Sequence, residues 1–186
     1  ETTGIHIITN TGLYKEPYLP SYAFEQSAEE LAMGWIAEYE NGIDETSIRP
    51  GFIKIAIHRE DLKPIQQKIV RAACMTHNAT GLTIACHSGY GPGVLQMLDI
   101  FHQEKTPPHA LIMVHANSEK DTDYHYQIAE RGVWIEYDNI GSWGIPQHIS
   151  LLNGMIDRGY EKQLLLSMDR GWYRVGEPGG GEIKPY

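Results

Sequence analysis

Short, strongly apolar runs alternate with longer amphipathic ones along most of the chain. The apolar runs are Ile5–Ile8, Phe52–Ile57, Leu82–Cys86, Ala110–Val114, Val133–Ile135 and Leu164–Leu166. They are rich in β-branched residues, and several are continuously apolar, which predicts parallel strands covered on both faces. Between them, apolar residues return at helical spacing. Ser27-Ala28-Glu29-Glu30 reads as a capping box opening a helix with Leu31, Ile36 and Tyr39. Ile65, Ile69 and Ala72–Ala73 follow the same period, and helices also fit 92–104, 121–131 and 146–158. Gly42, Gly81, Gly132 and Gly159 fall where these helices should end.

Phe52 and Leu164 lie 112 residues apart and enclose four repeats, so one strand–helix unit takes 28 residues. That regularity predicts an α/β architecture with right-handed crossovers. Two arrangements satisfy it: an open doubly wound sheet, or about six units of an eight-unit (β/α)8 barrel. The doubly wound fold usually places a Gly-rich phosphate loop after its first strand. The first run here leads into Asn10-Thr11-Gly12-Leu13-Tyr14, which has no such pattern. No linker or composition break divides the chain, so residues 1–186 are expected to form one incomplete barrel domain. The Gly-rich stretch 176–181 reads as a loop.

Composition narrows the partners. The 186 residues are 41% hydrophobic and 21% charged, with a formal net charge of −9. No basic run tracks a phosphate backbone, so nucleic acid is not an expected partner. No apolar stretch approaches the ~20 residues of a membrane span, and the N-terminus does not read as a signal peptide. Cys74 and Cys86 make a poor disulfide framework and point to a reducing cytoplasm. The expected partner is a small-molecule substrate, with a homodimer as the candidate assembly.

Four runs contain or end in an ionisable residue that apolar neighbours make conspicuous: Lys54, His87, His115 and Asp169. In a barrel, the C-terminal strand ends ring one mouth, where catalytic groups from different strands gather. In an open sheet, strands ~4.8 Å apart would spread them along a line. Two imidazoles, a carboxylate and a lysine therefore favour the barrel. An ammonium inside a strand of Ile, Phe and Ala faces a steep desolvation penalty. Deprotonated, that amine can react with carbon dioxide to give a carbamate, an anionic ligand able to bridge two divalent cations. Each residue also has an ordinary reading: an edge-strand lysine reaching water, satisfied structural histidines, an aspartate capping a helix. His87 and His115 stand one 28-residue repeat apart, which favours a shared site. Imidazole nitrogen and carboxylate oxygen suit zinc and comparable divalent ions.

At these residues the chain resembles the phosphotriesterase-like family of the amidohydrolase superfamily. The segments that carry the resemblance are Asn-Thr-Gly-Leu-Tyr (10–14), Gly-Phe-Ile-Lys-Ile-Ala (51–56), Ile-Ala-Cys-His-Ser-Gly (84–89), Val-His-Ala-Asn (114–117) and Leu-Ser-Met-Asp-Arg-Gly-Trp (166–172). Their order and spacing run from the family's third barrel strand to the loop after its eighth. The resemblance implies a carbamylated Lys54 bridging two divalent metal ions, with His87 and His115 on the exposed ion and Asp169 on the buried one. Zinc is the expected metal, with manganese or cobalt as alternatives. It further implies hydrolysis by a metal-activated hydroxide, with Asp169 accepting and relaying a proton. The family's His-X-His pair and last helix have no counterpart here. Impaired metal binding and exposed sheet edges are therefore expected, unless a longer protein or another chain completes the barrel. Where many relatives carry an aspartate two residues after the histidine matching His115, this chain has Asn117.

Ile84–Gly89 is nearer to the lactonase-type members, so a lactone, including a phosphorylated sugar lactone, is the expected substrate, with phosphotriester activity alongside. Specificity should come from the loops after the strands. Those loops offer Tyr14, Lys15 and Tyr18, then Arg170, Trp172, Tyr173 and Arg174, with Trp143 as a further aromatic wall. Tyr14, Arg170, Tyr173 and Arg174 are the expected substrate contacts, the two arginines clamping a phosphate or carboxylate. The competing reading is a non-catalytic barrel that binds a metal or ligand.

Overall fold

In the strand Phe52–Ala56, called β2, every second side chain turns toward a layer of helices, and Ile53 and Ile55 are wholly buried there with Ile57 just beyond. Each such isoleucine contributes about 1.5–3 kcal/mol of burial. The computed structural model describes residues 4, 6–141, 144–171, 173–174 and 176–182. Among them the other strands are β1 (Asn10–Thr11), β3 (Thr83–His87), β4 (Leu111–Val114), β5 (Trp134–Tyr137) and β6 (Leu164–Leu166). The helices are α1 (Tyr22–Glu25), α2 (Ala28–Asn41), α3 (Pro64–Thr80), α4 (Gly91–Gln103), α5 (Thr122–Glu130) and α6 (Ile145–Ile156). The expected capping box is present: Glu30 N donates to Ser27 Oγ at 3.1 Å, and Ser27 N donates to Glu30 Oε2 at 2.7 Å.

The six strands pair in parallel and in chain order, β1 to β6. A doubly wound sheet reverses its order at a switch point, whereas an unbroken sequential order is the wall of a (β/α)8 barrel. The fold is α/β, a partial barrel of six strands with the helices on one side.

One expected strand is displaced. Of the run Ile5–Ile8, Ile5 lies outside the described residues, and residues 6–9 form no strand. The first strand is instead Asn10–Thr11, paired with Phe52 and Ile53. Ile7 and Ile8 are 87% and 70% exposed, so their apolar character buries nothing here. At the opposite edge of the sheet, Leu166 and Met168 are also exposed. No helix among the described residues is long and apolar enough to cross a membrane.

Register assigns the second face of the sheet. Lys54 lies opposite Ala85 and Ala56 opposite His87; His87 in turn lies opposite Val114. Ile112 pairs with Trp134, and Glu136 with Leu165. Directly paired residues project to the same side, and alternation does the rest. Lys54, His87, Val114, Glu136 and Ser167 therefore share the face away from the helices. Ile53, Ile55, Ile84, Cys86, Leu111, Met113, Ile135 and Tyr137 form the helix-packed core.

Candidate functional site

A cavity of about 770 Å³ opens at the C-terminal ends of the strands. Lys54 from β2, His87 from β3, His115 after β4 and Asp169 after β6 all line it, together with Tyr14, Lys15, Arg59, Glu136, Asp138 and Ser167. The four residues picked out as metal ligands thus meet in one place. The rings of His87 and His115 lie edge to face with centroids 4.5 Å apart, and Tyr14 meets His87 at 5.2 Å.

Local backbone explains how two of these side chains reach the mouth. Val114 already faces the cavity, so strict alternation would turn His115 toward the helices. His115 instead adopts a left-handed conformation, φ 64° and ψ 32°, which brings it back to the mouth. Asp169 also has a positive φ, 45°. Such conformations are costly for non-glycine residues and persist where the surroundings impose them. Beside His115, Gly89 is required: with its φ of +55°, a Cβ would lie 2.9 Å from the His115 carbonyl oxygen.

Glu136 and Asp138, which did not stand out in the sequence, anchor the site. Asp138 Oδ2 pairs with His115 Nδ1, while Asn139 Nδ2 donates to its other oxygen at 2.9 Å. The Asp138 backbone is clamped by Asn117, whose Oδ1 accepts from Asp138 N at 3.1 Å and whose Nδ2 donates to Asp138 O at 3.3 Å. His148 Nε2 reaches the same carbonyl at 2.8 Å. Glu136 takes His115 N at 3.0 Å and the Ser167 hydroxyl. The signal for both acids was present in the chain. Trp134, Glu136 and Asp138 alternate with core residues, as Lys54 does in β2.

Ligand-forming oxygen and nitrogen atoms of His115, Glu136 and Asp138 lie within 4.8 Å of one another, close enough to hold a cation. Both carboxylates are already committed to His115 or Ser167, however. Asp138 is therefore read as the group that fixes the His115 ring, leaving Nε2 for a metal, the usual carboxylate–histidine arrangement.

Electrostatics suit metal ligation. Burial, then the charge of Lys15, the neighbouring His115 and Lys54, pushes His87 down to about 3, so it stays a neutral imidazole. Burial also lowers the Lys54 pKa. Among the described residues Lys54 has no carboxylate within ion-pair distance. Desolvation thus outweighs the fields of Cys86, Glu136, Asp169 and Asp138 and favours the neutral amine, the form of lysine that accepts carbon dioxide. Burial raises Asp138, but hydrogen bonds from His115 and Asn139 outweigh it and hold the carboxyl below its ordinary value. Glu136 is pushed up, chiefly by burial. Burial and then the charge of Asp169 raise Tyr14, which stays a phenol and a donor. A neutral imidazole, an oriented second imidazole, a carboxylate and a deprotonatable lysine fit divalent cations.

The other expected substrate contacts do not line this cavity. Arg174 pairs with Glu177 at 3.5 Å on the surface, Tyr173 is 72% exposed, and the buried Arg170 Nε has no hydrogen-bond partner among the described residues. Trp143 and Trp172 lie outside the described residues.

Comparison with known proteins places this geometry. The phosphotriesterase homology protein of Escherichia coli is 28% identical over 171 residues, covering 90% of this chain and 59% of that protein. The aryldialkylphosphatase of Saccharolobus solfataricus is 27% identical, covering 91% and 55%. A crystal structure of the E. coli phosphotriesterase homology protein, complexed with phosphate in its active site, superposes with a TM-score of 0.84 at 27% identity, over 90% of this chain and 59% of that one. The chain thus spans a little over half the length of the relatives it matches. Because the family model of the Phosphotriesterase family matches residues 1–178, nearly the whole chain, the protein belongs to that family.

Proposed function

We propose that this chain carries the catalytic mouth of a metal-dependent hydrolase that opens ester-type bonds, with a lactone as the favoured substrate. The observation that carries the reading is the meeting of Lys54, His87, His115 and Asp169, from four separate strands or the residues just after them, in a single cavity. Membership of the phosphotriesterase family and similarity to an aryldialkylphosphatase support hydrolysis at this site. The lactone preference rests on the segment Ile84–Gly89, and phosphotriesters are the second substrate class.

Lys54 as a carbamate, together with His87, His115 and Asp169, would hold divalent cations, zinc first, at the cavity mouth. Bound there, such cations supply a lowered water pKa and polarisation of the scissile oxygen. His87 offers its lone pair across the neutral pH range because burial keeps it unprotonated. His115 is presented in one orientation by Asp138. Asp169 is the carboxylate that takes a proton from the attacking water and returns it to the leaving group. Tyr14, held as a phenol at the cavity wall, donates to the substrate oxygen as negative charge builds.

The test is turnover of γ-butyrolactone and of a phosphotriester by the zinc-loaded chain, beside Asp169→Asn. Lactone turnover lost in the variant supports the proposal. A zinc-loaded chain that opens neither compound contradicts it.

A further inference from the structure

Glu136 lies on β5 between two strands that lead to candidate metal ligands, and it is 7% exposed. Its two oxygens serve opposite neighbours. Oε2 accepts from the backbone N–H of His115, just after β4, at 3.0 Å. Oε1 accepts from the hydroxyl of Ser167, just after β6. One carboxylate thus ties three strands together. No cation forms an ion pair with it among the described residues.

Each contact falls where a regular strand ends. The β4–β5 ladder stops at the pair Met113 and Ile135, and His115 then turns left-handed, φ 64° and ψ 32°. A residue that leaves a parallel ladder loses the main-chain acceptor for its N–H, and a buried N–H left unpaired is costly. Glu136 supplies that acceptor from its side chain. On the other side, Ser167 N still donates to Tyr137 O at 3.0 Å, so β6 follows β5 up to this point. Asp169, two residues on, has a positive φ of its own, 45°. Asp138 holds the His115 ring, whereas Glu136 holds the backbone that aims it.

The charge of Glu136 does not explain its place. Burial lowers the Lys54 pKa, and the field of Glu136 opposes that shift and so works against the neutral amine. What the carboxylate offers is two acceptor atoms, one for each neighbouring strand.

We propose that Glu136 is a positioning residue whose carboxylate, bridging His115 N and the Ser167 hydroxyl, sets the turns that present His115 and Asp169 together at the mouth. This rests on the reading of those two residues as metal ligands.

The test compares Glu136→Gln with Glu136→Leu. Glutamine keeps the bridge without the charge: its oxygen accepts from His115 N, and its amide donates to Ser167 Oγ, which can also accept. Leucine fills a similar volume and offers no acceptor. Ligand-field absorption of the cobalt-loaded chains reports the geometry, and competition with a chromophoric chelator gives zinc affinity. Glu136→Gln should keep the parent spectrum and an affinity within about threefold, whereas Glu136→Leu should alter the spectrum and lose roughly 10- to 100-fold. A Glu136→Leu chain indistinguishable from the parent overturns the proposal. So does Glu136→Gln as impaired as Glu136→Leu, since charge would then be what the site requires. Should Glu136→Leu fail to fold, Ser167→Ala, at an exposed position, removes one end of the bridge and should alter the same spectrum; an unchanged spectrum overturns the proposal. If the parent binds neither metal, the metal-ligand reading fails and the bridge is judged separately. Amide exchange of His115 in the metal-free chain should be slow in the parent and in Glu136→Gln, and about tenfold faster in Glu136→Leu. Equal rates in all three overturn the bridge.

Discussion

His115 and Asp138 are joined through Nδ1 and Oδ2 across the ends of β4 and β5, and this pair fixes the orientation of an imidazole at the cavity mouth. Asp138 is in turn held by Asn117, Asn139 and His148, so the ring is positioned by a chain of hydrogen bonds rather than by packing alone. Asn117, which clamps the Asp138 backbone, has a positioning role here.

Removing that carboxylate should therefore weaken metal binding without removing a ligand. Asp138→Ala is expected to lower zinc affinity roughly 10- to 100-fold. Competition against a chromophoric chelator measures it. Unchanged affinity would mean that His115 does not need Asp138.

Gly12, with φ +110°, packs against the Lys54 backbone, and a Cβ there would collide with the Lys54 carbonyl oxygen. Gly12→Ala combines that overlap with an unfavourable backbone conformation and should destabilise the chain by about 1–3 kcal/mol. Urea unfolding gives the figure. A variant as stable as the parent would contradict the close approach of β1 to β2.

His87 links stability of the metal-free chain to pH. Its folded pKa, about 3, lies below the ordinary value of roughly 6.5 for an unfolded histidine. As pH falls, the unfolded state takes up the proton first. The stability contributed by neutral His87 is thus complete above about 6.5 and is lost on acidification from there toward 3. Unfolding midpoints at pH 7 and pH 5 should fall further for the parent than for His87→Gln. Equal pH dependence in both would show that the imidazole is not held neutral.

Much of this architecture was legible because burial dictates pattern. β2, β3, β4 and β6 coincide with apolar runs, and α2 to α6 lie where helical spacing and capping placed them. Lys54, His87, His115 and Asp169 stood out because an ionisable group in apolar company is expensive. Glu136 and Asp138 were missed because the strand was read as ending at Ile135, so their alternation with Ile135 and Tyr137 went unused. Ile5–Ile8 misled for the opposite reason: hydrophobicity alone does not make a strand without a neighbour to pair with. The loops were least legible. Arg170 and Arg174 were the expected clamps, whereas Lys15 and Arg59, the latter not singled out in the sequence, line the mouth.

The central claim, that Lys54 helps hold divalent metal in this mouth, is tested most directly by elemental analysis. The chain and Lys54→Ala would be incubated with zinc and bicarbonate, freed of excess metal and measured by plasma mass spectrometry. The account predicts measurable zinc in the parent, short of full occupancy because the His-X-His ligands have no counterpart in this chain, and a sharp fall in the variant. A parent free of metal, or a variant that retains as much, would contradict it.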